Sequence, residues 1–242
     1  MHWYQLLLWQ GQTPKRIIFQ VYKIILTFMK KIFLILTFVV CATYNTHAQT
    51  VFCTLTGNNL SVNLDYVKQN LTSSDSEFLS VSSTEQILQT GFGNVTLKFA
   101  NETPEEEYGF NIISIRIGTR KLLNIKQDNL WTYTFGGKSM IDLKTYTNNR
   151  YFIPITINTS LSLIVLCGWP YGGDMPLLTI IAITPNEAKV IYNRHADITN
   201  LQKSPFCMTV QTNLVEYYDD GTPMTAAQSS RIFYNNGQFI YN

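Results

Sequence analysis

The chain has 242 residues and a formal net charge of +2, from 18 Lys and Arg against 16 Asp and Glu. Five of the basic residues and none of the acidic ones precede Gln49, so the remaining 194 residues carry 13 basic and 16 acidic side chains, a net charge of −3. This balance, without a basic run, argues against a nucleic-acid partner, because such binding needs cations that neutralise phosphates.

Residues 29–48 have the order of a secretory signal peptide. Met29–Lys31 is a short basic start, Ile32–Ala42 is apolar, and Ala48 places a small residue before Gln49. The apolar run is too short for a membrane-spanning helix, which needs about 20 residues. We therefore expect export with cleavage after Ala48, and contact with the membrane only during export.

The leader resembles those of exported proteins of Bacteroidetes-type Gram-negative bacteria, which implies a periplasmic, extracellular or cell-surface location. Residues 1–28 precede a complete export signal, so we interpret them as a mis-assigned extension and expect translation from Met29. One alternative is a single membrane segment over Ile17–Ala42, but Lys23 and two further lysines interrupt it, each costing about 2.5–3.5 kcal/mol. The other is lipid attachment at Cys41, which lacks the usual small residue before it.

Short alternating segments bounded by turn residues predict β-strands in the first half of residues 49–242. One segment is an exception: Ser82-x-x-Glu85 has the form of a capping box and predicts a short helix ending at Leu88. The predicted strands are Val51–Leu55, Leu60–Leu64, Asn94–Ala100, Phe110–Ile117 and Leu130–Phe135.

The second half is richer in strand signals. Leu161–Trp169 is nearly continuous hydrophobe, which predicts a strand buried on both faces, with Ile164 and Leu166 on one face. Asn236-Gly237 lies between alternating residues and predicts a tight hairpin. The other predicted strands are Tyr151–Ile157, Leu177–Ile183, Ala188–Tyr192, Phe206–Tyr218, Arg231–Tyr234 and Gln238–Tyr241.

About a dozen short strands, with turn signals every 8–12 residues, predict an all-β fold. We expect an antiparallel sandwich, or a barrel or propeller-like arrangement, with at most one short helix. Residues 49–242 are expected to form a single domain.

Three cysteines follow Gln49: Cys53, Cys167 and Cys207. In an oxidising compartment they allow one disulfide and one free thiol. Cys167 lies in an apolar run, where a free thiol packs as a small hydrophobe. The candidate disulfide is therefore Cys53–Cys207, and the absence of any disulfide remains open.

Signals for catalysis are weak. His195 is the only histidine after Gln49, and its surroundings predict a surface position rather than a partner for Cys167. Known nucleophile and metal-binding motifs are missing, so we expect neither a metal nor a cofactor. The acidic clusters Glu105–Glu107 and Asp219–Asp220 leave open a carboxylate-based hydrolase directed at glycans.

The most suggestive segment for recognition is the loop after the most apolar strand. It contains Trp169, Tyr171 and Asp174 among glycines. Aromatic rings on a loop stack on sugars or anchor protein partners, and a rigid β scaffold holds such loops in place. We therefore expect a non-catalytic binding module for a protein or glycan, with these residues as ligand contacts. A structural component of an envelope assembly remains an alternative.

Overall fold

A computed structural model describes residues 49–67, 71–73, 82–102, 109–132, 151–168, 176–213, 223 and 225–242. Gln49–Asn242 form one compact unit. Its strands are β1 (Thr50–Thr56), β2 (Asn59–Val62), β3 (Thr72–Ser73), β4 (Ser82–Thr90), β5 (Gly93–Asn101), β6 (Phe110–Ile117), β7 (Arg120–Trp131), β8 (Ile153–Asn158), β9 (Leu161–Gly168), β10 (Leu177–Ile183), β11 (Ala188–His195), β12 (Asp197–Lys203), β13 (Phe206–Gln211), β14 (Ser229–Asn235) and β15 (Gln238–Tyr241). Leu64–Tyr66 form one 3-10 turn.

The strands form three antiparallel sheets. The six-stranded sheet has the order β12-β13-β14-β15-β1-β2, the central sheet β11-β10-β9-β8, and the five-stranded sheet β3-β7-β6-β5-β4. The predicted all-β antiparallel fold is therefore confirmed, and of the expected sandwich, barrel or propeller-like arrangements the sheets are consistent with the sandwich. Among the described residues, no helix is long and apolar enough to cross a membrane.

The central sheet is buried on both faces. Leu163 and Val165 of β9 belong to the hydrophobic core shared with the six-stranded sheet. Ile164 and Leu166, which alternate with them, belong to the core shared with the five-stranded sheet, and both are fully buried. Side chains of a strand alternate between the two faces of its sheet, so a strand between two cores needs apolar residues on both faces. The predicted two-sided burial of this strand, and of Ile164 and Leu166, is confirmed.

Each core contains an aromatic cluster. In the first core, the ring of Phe52 lies 6.0 Å from that of Phe239, measured between centroids. In the second, the ring centroids of Phe99 and Phe110 are 4.8 Å apart, and Phe110 lies 5.4 Å from Trp131. Such separations suit tilted aromatic pairs, which contribute about 0.5–1.5 kcal/mol beyond their buried area.

The helix predicted over Ser82–Leu88 is wrong, because this segment is part of strand β4. It pairs with β5 over nine residues, from Ser82–Asn101 to Thr90–Gly93. Burial alternates with a period of two: Leu88 is 2 % exposed and its neighbour Ile87 is 57 % exposed. The long antiparallel pairing therefore overrides the local capping signal.

The predicted Asn-Gly hairpin is confirmed. It joins β14 to β15, and both Asn236 and Gly237 have positive φ, at 46° and 82°. Two positive φ values at the turn match the twist of paired strands, which is why Asn-Gly is favoured there.

Candidate functional site

The loop after β9 connects two adjacent strands of the central sheet. Its predicted ligand contacts Trp169, Tyr171 and Asp174 lie outside the described residues, but both ends of the loop are described. Gly168 pairs with Leu177 in the β9–β10 ladder. The two ends of residues 169–176 are therefore fixed next to each other by strands whose side chains are almost all buried.

Strand β7 of the five-stranded sheet crosses closely over the end of β9. The backbone N–H of Thr132 donates a hydrogen bond to the carbonyl of Cys167, at 3.2 Å. A Cβ at Gly168 would collide with the backbone carbonyl oxygen of Leu130. Only glycine permits this approach without a backbone shift, so the start of the loop is also held against a second sheet.

A chain of buried polar side chains joins β7 to two strands of the central sheet. Trp131 Nε1 donates to Thr179 Oγ1 at 2.9 Å, and Thr179 Oγ1 donates to Asn193 Oδ1 at 2.5 Å. All three side chains are fully buried. Buried hydrogen bonds of this kind specify one arrangement, because a broken partner leaves a desolvated polar group. These hydrogen bonds join β7 to β10 and β11, with Thr179 two residues after Leu177, the first residue of β10.

The three cysteines among the described residues are free thiols, so the structure does not contain the Cys53–Cys207 disulfide. Cys53 lies on β1 and Cys207 on β13, with β14 and β15 between them in the same sheet. Three strand spacings separate the two backbones by about 14 Å, whereas a disulfide requires Cα atoms within about 7 Å. Sequence separation could not reveal this spacing.

The thiols of Cys53, which is buried, and Cys167, which is half-buried, are poor nucleophiles. Burial raises the pKa of Cys53 to about 12, although the charge of Lys189 acts in the opposite direction. Burial, reinforced by the charge of Asp197, also raises the pKa of Cys167 to about 12. A thiolate is the reactive form of cysteine, and neither side chain forms it near neutral pH.

His195 is half-buried at the end of β11, where it pairs with Leu177. Cys167 lies on β9, and β10 separates the two strands. Two strand spacings place the backbones about 10 Å apart, so the structure does not bring this thiol and imidazole together as a nucleophile and base.

The other residues considered for catalysis are two acidic clusters. The acidic clusters Glu105–Glu107 and Asp219–Asp220 lie outside the described residues. Within the described ranges, no group of three or more His, Cys, Asp or Glu side chains could hold a metal ion.

A second feature, which the sequence analysis missed, is a groove on the outer face of the five-stranded sheet. It encloses a cavity of about 180 Å³. Ala100 and Ile112 form its apolar end. We call it the basic groove, and its polar lining residues are Lys98, Ser114, Arg116, Thr119, Lys121 and Asn124.

A β-bulge brings Lys121 into the basic groove. Ile115 pairs with Leu123, but the next residue, Arg116, pairs with Lys121, so Leu122 is an extra residue in β7. In a regular strand, Lys121 and Asn124 would point to opposite faces, because their separation is odd. The bulge redirects Lys121, which is a common use of bulges near binding sites.

The alternation in Phe110–Ile117 could have indicated Arg116 and Ser114, which lie between inward-facing isoleucines. Lys98 similarly lies between Leu97 and Phe99, which are both buried. The bulge that adds Lys121 has no such sequence signal.

The chain matches no known protein family, no curated protein and no solved structure.

Proposed function

We propose that this protein is an exported, non-catalytic binding module that recognises a protein or glycan through the loop of residues 169–175. The supporting observation is the way in which the two ends of the loop are held. They leave adjacent, doubly buried strands of the central sheet, and Gly168 packs against β7 of another sheet.

A loop whose two ends are fixed in position is better suited to binding than one whose ends are free to move. Ordering a mobile loop on association costs free energy, and a preformed base reduces that cost. Trp169 and Tyr171 are the residue types that contribute most to recognition, because large rings bury much area with few rotatable bonds. Asp174 adds a hydrogen-bond acceptor for hydroxyl or amide groups.

Binding to a glycan array tests this proposal. We expect W169A and Y171A to lose the glycans that the unchanged protein retains, with unaltered melting temperatures. L64A, which removes a side chain that is 76 % exposed on another element, is the matched control and should bind normally. A loss of about 3–5 kcal/mol of stability in W169A would instead identify a core ring.

The alternative of a glycan hydrolase is distinguished by the products. Two carboxylates about 5–10 Å apart would cleave a bound glycan, whereas a binding module leaves it intact. New reducing ends after incubation of the array-positive glycan with the protein would favour the hydrolase.

One observation favours the third candidate, a structural component of an envelope assembly. Strand β4 is nine residues long and lies at the edge of the five-stranded sheet, with Ile87 57 % exposed. Long edge strands with exposed apolar residues invite pairing with another chain. Concentration-dependent assembly in sedimentation experiments that I87K abolishes would support this role.

A further inference from the structure

Strand β4 lies at the edge of the five-stranded sheet, where β5 is its one neighbour among the described strands. Its ladder with β5 runs over nine consecutive residues, from Ser82 to Thr90, without a bulge. The strand contains neither proline nor lysine. An edge strand presents backbone N–H and C=O groups to a further strand, and proteins protect such edges with proline, lysine, bulges or short length. Strand β4 has none of these features.

The other edge strands of the three sheets each carry such a protection. Strand β3 has two residues and β2 has four, and the backbone of Leu60 in β2 also bonds to the side chains of Glu187 and Lys189. Bulges interrupt the pairing of β8, β11 and β12, and β8 contains Pro154 as well. The open edge of β4 is therefore an exception within this molecule. Such departures from a local rule are expected where a surface serves binding.

The side chains of β4 divide into an inner and an outer row. On the inner side, Leu88 packs into the core shared with the central sheet, and Gln86 accepts a hydrogen bond from the backbone N–H of Tyr151. On the outer side, Glu85 and Ile87 are exposed. The inner row is thus occupied within the molecule, whereas the outer row contains a large apolar side chain left in solvent.

A second copy of β4 fits this edge in one antiparallel register. A two-fold axis at Ile87 places this residue opposite its own copy and covers both exposed side chains. Glu85 then lies opposite Gln89 of the other copy, and Thr84 lies opposite Thr90. Directly opposed apolar pairs and Thr–Thr pairs are the contacts that stabilise antiparallel ladders. Seven residues of each copy are paired in this register.

Other two-fold registers are less favourable. An axis at Glu85 would oppose two carboxylates directly, which destabilises a ladder. An axis at Gln86 would set Glu85 against Ile87, and an axis at Leu88 would shorten the pairing to five residues. In the register about Ile87, Glu85 keeps Lys98 of β5 as its cross-strand partner within the same copy, so the edge carries no uncompensated charge.

We propose that β4 is a dimerisation edge, to which a second copy of this chain adds its own β4 in antiparallel register about Ile87. The two five-stranded sheets then form one continuous sheet, and the two-fold pairing closes at two copies. This inference deepens the role of β4 considered above for an envelope assembly, but such an assembly would continue beyond two copies. It does not rest on the function proposed for residues 169–175, which leave the central sheet.

Sedimentation equilibrium of the purified protein, from micromolar to millimolar concentration, tests the dimer. We expect a monomer–dimer equilibrium in the micromolar range, because one strand pair buries less than the about 1,200–2,000 Å² of a stable interface. I87K should weaken dimerisation roughly tenfold or more, since two lysines would face each other. L64K, which makes the same change at an exposed side chain of the 3-10 turn, is the matched control and should dimerise normally.

Three results of this experiment would overturn the inference. They are a protein that stays monomeric at every concentration, equal effects of I87K and L64K, and species that grow beyond two copies. The last result would favour the envelope assembly. A monomer whose β4 amides resist hydrogen exchange as well as those of β5 would place another segment of the same chain on this edge.

Cysteine cross-linking with copper phenanthroline as the oxidant tests the register. I87C should form a disulfide with its own copy, because directly opposed residues have Cα atoms about 4.5–5.5 Å apart, within the range of a disulfide. E85C alone should not, because four residues of strand separate the two copies of this position by about 13 Å. A mixture of E85C and Q89C should cross-link, and peptide mass spectrometry identifies the joined cysteines.

The dimer and the loop can fail separately. E85C that cross-links with itself as efficiently as I87C would contradict the register, and an I87C protein that forms no inter-copy disulfide would contradict the pairing. Neither result alters the glycan binding expected of the loop. A dimer that forms as expected but retains no glycan on the array would remove the function of the loop and leave the dimerisation edge in place.

Discussion

Thr179 is the residue on which the buried polar contacts between β7, β10 and β11 depend. Its hydroxyl accepts from Trp131 and donates to Asn193 in a fully buried setting. The partners are 48 and 14 residues away in sequence, so local pattern could place each on a strand but not connect them. Trp131 and Thr179 both fall in predicted strands.

Replacing Thr179 with Val tests the importance of this chain. Valine keeps the shape of the side chain but removes the hydroxyl, which leaves Trp131 Nε1–H and Asn193 Oδ1 without the partner they have in Thr179. We expect a loss of about 1–3 kcal/mol in the free energy of unfolding, measured by urea denaturation. The control T199V, on the exposed strand β12, should change it by less than about 0.5 kcal/mol. Equal effects of the two variants would contradict this role.

At the scale of elements, polar contacts of Glu187 and Lys189 with the backbone of Leu60 join the β10–β11 hairpin to β2; we call this group the polar clip. The backbone N–H of Leu60 donates to Glu187 Oε1, and Lys189 Nζ donates to the Leu60 carbonyl at 2.7 Å. Lys189 also forms an ion pair with Glu187 at 2.9 Å. Burial raises the pKa of Glu187, but the Leu60 hydrogen bond and Lys189 outweigh it and hold the pKa below its usual value.

The clip predicts an acid-sensitive contribution to stability. Because the pKa of Glu187 is lower in the folded state, its contribution is present above the unfolded value of about 4.3 and is lost as pH falls through the folded value. We expect the stability advantage of the unchanged protein over E187Q to shrink between about pH 5 and pH 3. Unfolding free energies measured over this range check it, and a constant difference would refute it.

Elements whose own residues carry a strong sequence pattern could be predicted. The apolar run of β9 and the Asn236-Gly237 turn each specify their structure within a few residues. Strand β12 (Asp197–Lys203) was missed, and of β7 (Arg120–Trp131) only the last two residues fall in the predicted strand Leu130–Phe135, because both sequences are largely polar. Such strands are defined by their pairing partners, which lie elsewhere in the chain. Ser82–Leu88 shows the converse error, since a local helix signal lost to pairing with β5.

The predicted strand Phe206–Tyr218 illustrates the limit on element boundaries. Strand β13 ends at Gln211, where it pairs with both Asp197 and Ser229. The apolar pattern continues beyond this point, so the sequence alone gave no stop. The position of the candidate loop between β9 and β10 follows from the sequence pattern of the two strands. The basic groove could not be predicted in this way, because it depends on the pairing register of β6 with β7 and on the bulge in β7, which only the structure shows.

At the scale of the whole molecule, export remains a prediction that one measurement checks. Strand β1 begins at Thr50, so cleavage after Ala48 leaves its pairing with β15 intact. Expressed from Met29 in a Gram-negative host, the protein should have the N-terminus Gln-Thr-Val-Phe. Mass spectrometry that finds an uncleaved Met29, or lipid on Cys41, would contradict the export signal as interpreted.

The central claim is that one sheet, buried on both faces, supports the molecule and the loop after β9. Native-state hydrogen exchange measures this most directly, because amides in the most stable unit open only by global unfolding. We predict that amides of β9 and β10 exchange slowest, and that those of the edge strands β4 and β12 exchange much faster. Exchange in β9 and β10 as fast as in β12 would contradict the account.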